Sequence, residues 1–371
     1  MTKLGRLNQQ TNIGMILKPR LRYLLILSVI LPGILLIITI CFPSCKVPYE
    51  PVVDKSSQDL LVVEGYINTG GGPITIKLTR TLDVKTPPSA DGETGATLKI
   101  EGEDGSSISA VTNSSGLATF ATTLNNPQRY RLLITTRSGR RYGTPFLENK
   151  QTPEIEQIGY KADSVGIQLY VNTEDKTAST RYYAWAFDET WETIAAFVRG
   201  PALNPPPRPI CWPTAKSTSI YIASSLNLSA DRINEFPLVF IDGKSEKLSR
   251  MYSINVFQYG LTKEAYDYLG KMKKNSEQIG SIFDPQPSYL TGNIQCISDP
   301  SEKVIGFISC GVIREKRVFI SPSEISKINS NWIFSHPCNF LIPLPDPPPP
   351  YPELCYTCEG TRIRPSYWPT K

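Results

Sequence analysis

"LLVVEGYINTGGGPITIKLTR" (Leu60–Arg80) decides the fold. Two runs rich in β-branched residues, "LLVVEGYI" and "PITIKLTR", flank the glycine cluster "TGGG" (Thr69–Gly72). Glycines after a strand can cradle a phosphate, but that loop must open a helix so that backbone N–H groups and the helix dipole face the anion. Here "ITIKL" alternates with period two, so the segment reads as a β-hairpin with a glycine-rich turn.

More short strands follow: "ATLKIE" (Ala96–Glu101), "SSISAVT" (Ser106–Thr112), "GLATFA" (Gly116–Ala121), "RYRLLITT" (Arg129–Thr136) and "RRYGTPF" (Arg140–Phe146). Turn sequences such as Glu103-Asp104-Gly105 separate them. Seven strands at this spacing predict an immunoglobulin-like β-sandwich over residues 59–150. "KQTPEIEQIGY" (Lys150–Tyr160) marks a joint, and residues 151–371 read as a larger β-rich domain.

That second unit opens with "SVGIQLYVN" (Ser164–Asn172) and "TRYYAWAFDETWETIAAFVRG" (Thr180–Gly200). Tyr183, Trp185 and Phe187 share one face of the latter strand, and Tyr182, Ala184 and Ala186 share the other. Core packing is the ordinary reading of such an aromatic stripe; a ligand platform carried by Trp185 and Trp191 is the sharper one. Beyond the loop "NPPPRPICW" come "STSIYIASS", "EFPLVFID" and "RMYSINVFQYGL", again strands. One helix is expected, capped by Thr262, with Ala265, Tyr268, Leu269 and Met272 on its apolar stripe and Gly280 closing it. Its Lys271, Lys273 and Lys274 read as a solvated face. "VIGFIS" and "KRVFI" predict further strands, and "LPDPPPPYPEL" (Leu344–Leu354) an extended, stiff run. The expected fold class is therefore mostly β, with one or two short helices.

At 371 residues with 32 prolines, the chain is long enough for about two domains with packed cores. The formal charge of +5 comes entirely from Lys3, Arg6, Lys18, Arg20 and Arg22; beyond residue 44 the 34 remaining cations balance 34 acids. No electrostatic case for nucleic acid remains. Those five cations precede an uncharged apolar stretch, Tyr23–Phe42, which predicts export. Met15 offers a second start, leaving a leader of ordinary length. The stretch ends in Pro43-Ser44-Cys45, a small residue directly before cysteine, the form of a lipoprotein signal peptide over residues 1–44 with lipidation at Cys45. Ile40 is too bulky for Cys41 to serve. A retained transmembrane anchor is the alternative, and either reading places residues 46–371 across the membrane. Residues 45–58 then form a tether, and several acyl chains on Cys45 would anchor it durably.

Six cysteines follow: Cys211, Cys296, Cys310, Cys338, Cys355 and Cys358. In an exported chain an even number predicts disulfides, in a pairing the sequence leaves open. "CYTC" (Cys355–Cys358) has redox spacing but is preceded by prolines rather than opening a helix, and no second pair exists for zinc. No metal or other cofactor is expected. The single histidine, His336 in "FSHPCNF", has no nucleophile elbow to serve, so it reads as structural. Paired carboxylates hydrolyse glycosides without histidine, and Asp188, Glu189 and Glu192 lie near Trp185 and Trp191; this is the enzymatic alternative.

The ordered elements "CK", "LVVEGYI", "ITIKLTRT", "TGATLKI" (Thr94–Ile100), "YRLLITTRSGRRY", "TPEIEQI", "LTKEAYDYL", "PSYLTGNI", "VIGFISCGVIREKRVFI" and the closing "CYTCEGTRIRPSYW" resemble domain-of-unknown-function family forty-two forty-nine of Gram-negative outer-membrane lipoproteins. The resemblance implies a lipid anchor on Cys45, an N-terminal sandwich and a larger β-rich domain. It also implies work alongside a TonB-dependent receptor in nutrient uptake, through binding rather than catalysis, against the alternative of a purely structural surface protein. Asp163-Ser164-Val165 resembles a short O-glycosylation motif of exported proteins in such bacteria, with Ser164 as the acceptor.

Overall fold

The computed structural model describes residues 59–81, 92–124, 128–177, 179–195, 209–277, 290–321, 323–324 and 363–370. The leader, Cys45, the tether, Gly280, His336, Cys338, Cys355 and Cys358 lie outside them. The opening hairpin forms as expected: β1 (Leu61–Asn68) pairs antiparallel with β2 (Ile74–Arg80), with Val63 opposite Leu78. Its turn runs through Gly71 and Gly72 at φ 102° and 82°, where a side chain would be strained. The strands β3 (Thr97–Gly102), β4 (Ser107–Val111), β5 (Leu117–Phe120), β6 (Tyr130–Thr135) and β7 (Arg141–Gly143) follow, and then the two-residue β8 (Asn149–Lys150).

The second unit contributes β9 (Ile155–Ala162), β10 (Gly166–Glu174), β11 (Tyr182–Trp191), β12 (Thr193–Ile194), β13 (Ile210–Cys211), β14 (Thr214–Lys216), β15 (Tyr221–Ser224), β16 (Arg232–Asp242) and β17 (Tyr252–Leu261). The helix α1 (Lys263–Glu277) comes next, with β18 (Gln295–Cys296), β19 (Val304–Ile305), β20 (Ser309–Gly311) and β21 (Ile313–Ile320) after it. The molecule is thus mostly β, as the alternating pattern predicts.

The first sandwich is not completed by residues 59–150. One of its sheets runs β5-β2-β1-β20-β8, with β19 also on β1, and the facing sheet runs β18-β7-β6-β3-β4. The late strands β19 and β20 both lie parallel to β1, pairing Leu61 with Val304 and Ile67 with Cys310. Ile294, Cys296, Val304, Ile308 and Cys310 join Leu61, Ile76, Leu98, Leu132 and Tyr142 in one core. A linear division at residue 150 therefore does not describe the strand pairing: residues 294–311 return to the N-terminal unit.

"VIGFIS" is correspondingly broken into two strands around Gly306 (φ 132°). A Cβ at Gly306 would stand 2.1 Å from the Val63 carbonyl, and one at Gly292 would stand 1.6 Å from the Gly306 carbonyl. Three backbone segments meet there at a distance only glycine permits.

In the second sandwich, β16-β10-β9 faces the sheet β14-β11-β17-β21, with β15 also paired to β11. Ile167, Leu169 and Val171 meet Tyr183, Trp185, Phe187, Ile254 and Val256 in its core. The chain crosses between the sandwiches three times, at 150–152, between β17 and β18, and at 311–313. The first and last crossings are tied together: Val312 N–H donates to the Lys150 carbonyl (2.9 Å) and Arg314 Nε to the Thr152 carbonyl (3.1 Å). Gly260 N–H donates to Thr152 Oγ1 (2.9 Å), and Tyr66 OH donates to the Gly260 carbonyl (3.2 Å).

Asp175 fixes the turn from β10 toward β11. Its carboxylate accepts from the backbone N–H groups of Thr177 (2.9 Å), Ser179 (3.1 Å) and Thr180 (2.8 Å) and from the Thr177 hydroxyl (2.6 Å). Burial alone would raise its pKa, but these donors outweigh burial and lower it. A depressed carboxylate contributes stability above its unfolded pKa and loses it as pH falls through the folded value. Asp175→Ala should therefore cost about 1–3 kcal/mol at about pH 7, read as a lowered thermal midpoint. The gap to wild type should close progressively below about pH 4.

Candidate functional site

The two faces of β11 have different fates. Tyr183, Trp185 and Phe187 enter the second core, while Ala184 and Ala186 lie on the opposite face. There the small side chains leave room against the first sandwich. A cleft of about 510 Å³ lies over them, bounded by Tyr66 of β1, Tyr259 of β17, Phe307 between β19 and β20, and Leu269 of α1. The Tyr66 and Tyr259 rings meet edge to face at 5.1 Å. Burial pushes both phenols up, Tyr259 to about 12, with Asp188 adding to the Tyr259 shift, so both stay neutral hydroxyls at ordinary pH.

The helix that roofs the cleft starts where its cap predicts. Ala265 N–H donates to Thr262 Oγ1 (3.2 Å), which takes up one of the free N–H groups of the first turn. Of its side chains only Ala265 and Tyr268 are buried, and Lys271 and Lys274 are exposed, as the solvated-face reading expects. Tyr268 packs on Phe307 at 5.4 Å and Tyr266 on Tyr182 at 5.1 Å. A second cavity of about 540 Å³ opens on the other flank of α1 and shares Phe307 with the cleft. Glu148, Glu264, Asp267 and Lys271 border it.

The residues singled out from the sequence fall elsewhere. Trp185 borders the cleft from β11, but its ring is in the second core, stacked on Phe236 at 4.6 Å, with Nε1 donating to Gln258 Oε1 at 2.9 Å. Trp191 is also in that core, under the Lys247 ammonium at 5.1 Å. Neither ring forms an open platform. Glu189 is buried, paired with Lys247 (2.7 Å) and accepting from Tyr252 OH (2.7 Å). Glu192 is buried too, paired with Arg250 (2.7 Å) and accepting from Trp368 Nε1 (3.2 Å). Asp188 stands on the other face of β11. The three carboxylates are therefore not gathered on one cleft. Ser164 is exposed on the tight turn between β9 and β10, where Asp163 Oδ1 accepts from the Val165 and Gly166 N–H groups.

Cys296 and Cys310 correct the expectation that all six cysteines pair, since both are free, buried thiols. Burial raises their pKa, that of Cys310 to about 12, which keeps them protonated and inert. Both belong to the first core, where Cys310 acts as a small apolar side chain while the Cys296 thiol also donates to Glu302 Oε2 (3.5 Å). Cys211 is bonded in a disulfide whose partner lies outside the described residues. Among the described residues no cluster of His, Cys, Asp or Glu could hold a metal ion.

The profile of a domain of unknown function, DUF4249, matches residues 46–317, which is more than half of the chain. The chain belongs to the DUF4249 family. The DUF4249 match takes in the first sandwich, α1, the tied crossings and the second sandwich up to residue 317, within β21. No curated protein matches the chain. Among solved structures, a two-domain fibronectin type III segment of chicken tenascin aligns at 13% identity over 55% of this chain and 91% of that one, with a TM-score of 0.17. A Salmonella α-2-macroglobulin mutant aligns at 11% identity over 74% of this chain, with a TM-score of 0.19, and only 16% of its own length is spanned. Neither superposes closely enough to add to the architecture already described.

The cleft went unseen in the sequence because its walls come from five separated segments. Its one local signal was the pairing of alanines with aromatics along β11, where small residues in mid-strand mark a face approached by something else.

Proposed function

We propose that this DUF4249 protein is a lipid-anchored component of the cell outer membrane, and that it binds rather than catalyses, as an accessory to a TonB-dependent receptor in nutrient uptake. The observation that carries the binding part is the cleft between the sandwiches: concave, mostly apolar, set at a junction of two units and of a size that suits a small ligand. The anchoring part rests on the basic leader, the apolar stretch Tyr23–Phe42 and the small residue before Cys45. Exposure of Ser164 on a turn is compatible with its modification after export. A glycosidase would need one carboxyl free to protonate a leaving oxygen and a second across a cleft from it. The ion pairs of Glu189 and Glu192 leave neither in that position.

The intact mass of membrane-extracted protein tests the anchor. Wild type should begin at Cys45 and carry acyl additions, and Cys45→Ala should lose both the acyl mass and retention in the membrane fraction. An unprocessed wild-type mass that still contains Tyr23–Phe42 would mean a transmembrane anchor and remove the basis of the proposal. With the anchor established, cross-linking in intact cells should recover a TonB-dependent receptor with the wild type and not with Cys45→Ala.

A further inference from the structure

Among the described residues no charged side chain lines the cleft between the sandwiches, and the charge that acts on its Tyr259 wall is an anion, Asp188, on the same face of β11 as Ala184 and Ala186. Such exclusion is local, because the cavity on the other flank of the same helix has three acids and a lysine on its border. The polar side chains along the cleft wall carry hydroxyls: Thr75, Ser219 and Ser309, with the phenols of Tyr221, Tyr259 and Tyr66, the last already donating to the Gly260 carbonyl. An anionic ligand entering this space would give up its hydration and meet no counter-charge, which is a steep loss in surroundings of low dielectric. An uncharged ring would lose little water, gain the faces and edges of Tyr66, Tyr259 and Phe307, and find hydroxyls for one or two hydrogen bonds. At about 510 Å³ the space suits one small molecule.

We infer that the cleft binds an uncharged, ring-bearing small molecule with a few hydroxyl or carbonyl groups, and discriminates against anionic analogues of the same shape. This deepens the proposed binding role and rests on it. The discrimination resides in the wall itself, since hydroxyls orient a ligand without supplying a cation for an anion to pair with, and Asp188 nearby opposes one.

Two dyes of one shape separate charge from size: N-phenyl-naphthylamine, which is neutral, and its sulfonated counterpart, anilinonaphthalene sulfonate. Titrated into the mature chain, the neutral dye should show saturable fluorescence enhancement at one site, and the sulfonate should bind about tenfold more weakly or worse. Ala186→Trp, which fills the floor, should weaken the neutral dye by about tenfold or more. Ser219→Lys supplies a counter-charge and should narrow the gap between the dyes; it serves equally if the tryptophan variant does not fold. Equal or tighter binding of the sulfonate to wild type would overturn the inference. So would non-saturable binding of the neutral dye, or dye binding that neither variant alters. Failure to recover a receptor in cells would leave the dye results standing, so the two readings fail separately.

Discussion

A fragment ending at Lys150 should fail to fold cooperatively, although residues 59–150 contain the seven strands that the sequence assigns to an immunoglobulin-like sandwich. The fragment lacks Ile294, Val304 and Ile308, three aliphatic side chains of the first core, along with the buried Cys296 and Cys310. Each aliphatic contributes about 1.5–3 kcal/mol on full burial. Together they approach the whole stability of an ordinary domain, about 5–15 kcal/mol. The fragment also leaves the far edge of β1 without β19 and β20, an unpaired strand edge that invites association. Near-ultraviolet circular dichroism and thermal unfolding should show weak, non-cooperative signals, and linking residues 290–312 to the fragment should restore a sharp transition. A sharply melting fragment without that addition would contradict this account of the core.

Trp185→Ala should be the most damaging single substitution in the second sandwich. The ring is 3% exposed, lies against Phe236 and Tyr183, and holds Gln258, which is itself fully buried. Loss of a buried tryptophan costs about 3–5 kcal/mol. Gln258 keeps its donors on the Pro153 carbonyl and Thr173 Oγ1, but its Oε1 is left without the indole N–H, adding about 1–3 kcal/mol. The thermal midpoint should drop by roughly 8–32 °C. Trp185→Phe keeps a ring against Phe236 but loses the indole N–H and part of the ring volume, so it should recover part of the loss. If Trp185 were a ligand platform, the alanine variant would keep its midpoint and lose binding instead.

Strand identity was legible because period-two alternation is local: the hairpin at Leu61–Arg80, the strands up to Gly143 and the long β11 and β17 all carry it. The helix was legible from Thr262 and the spacing of Ala265 and Tyr268. What alternation cannot show is which strand a short segment joins. β18, β19 and β20 are two or three residues long, too short for a periodic signal, and their partners were made far earlier in the chain. The aromatic face of β11 drew attention as a surface, whereas alternation alone says only that it differs from the alanine face. Which of the two faces a core was settled by β9, β10 and β16 arriving over the aromatics. The cysteines were judged from compartment and number, but pairing also requires that two sulfurs meet in the right geometry, and Cys296 and Cys310 remain separate free thiols in the first core.

The tied crossings have a kinetic consequence. Two domains on one linker ordinarily swing relative to each other, and a ligand caught between them must halt that motion. Here Ile313 N–H reaches Asn68 Oδ1 across 245 residues of chain, beside the bond from Val312 to Lys150, so the joint resists both twist and hinge opening. Capture in the cleft should then proceed in one step, with an association rate that rises linearly with ligand concentration and shows no slow closing phase.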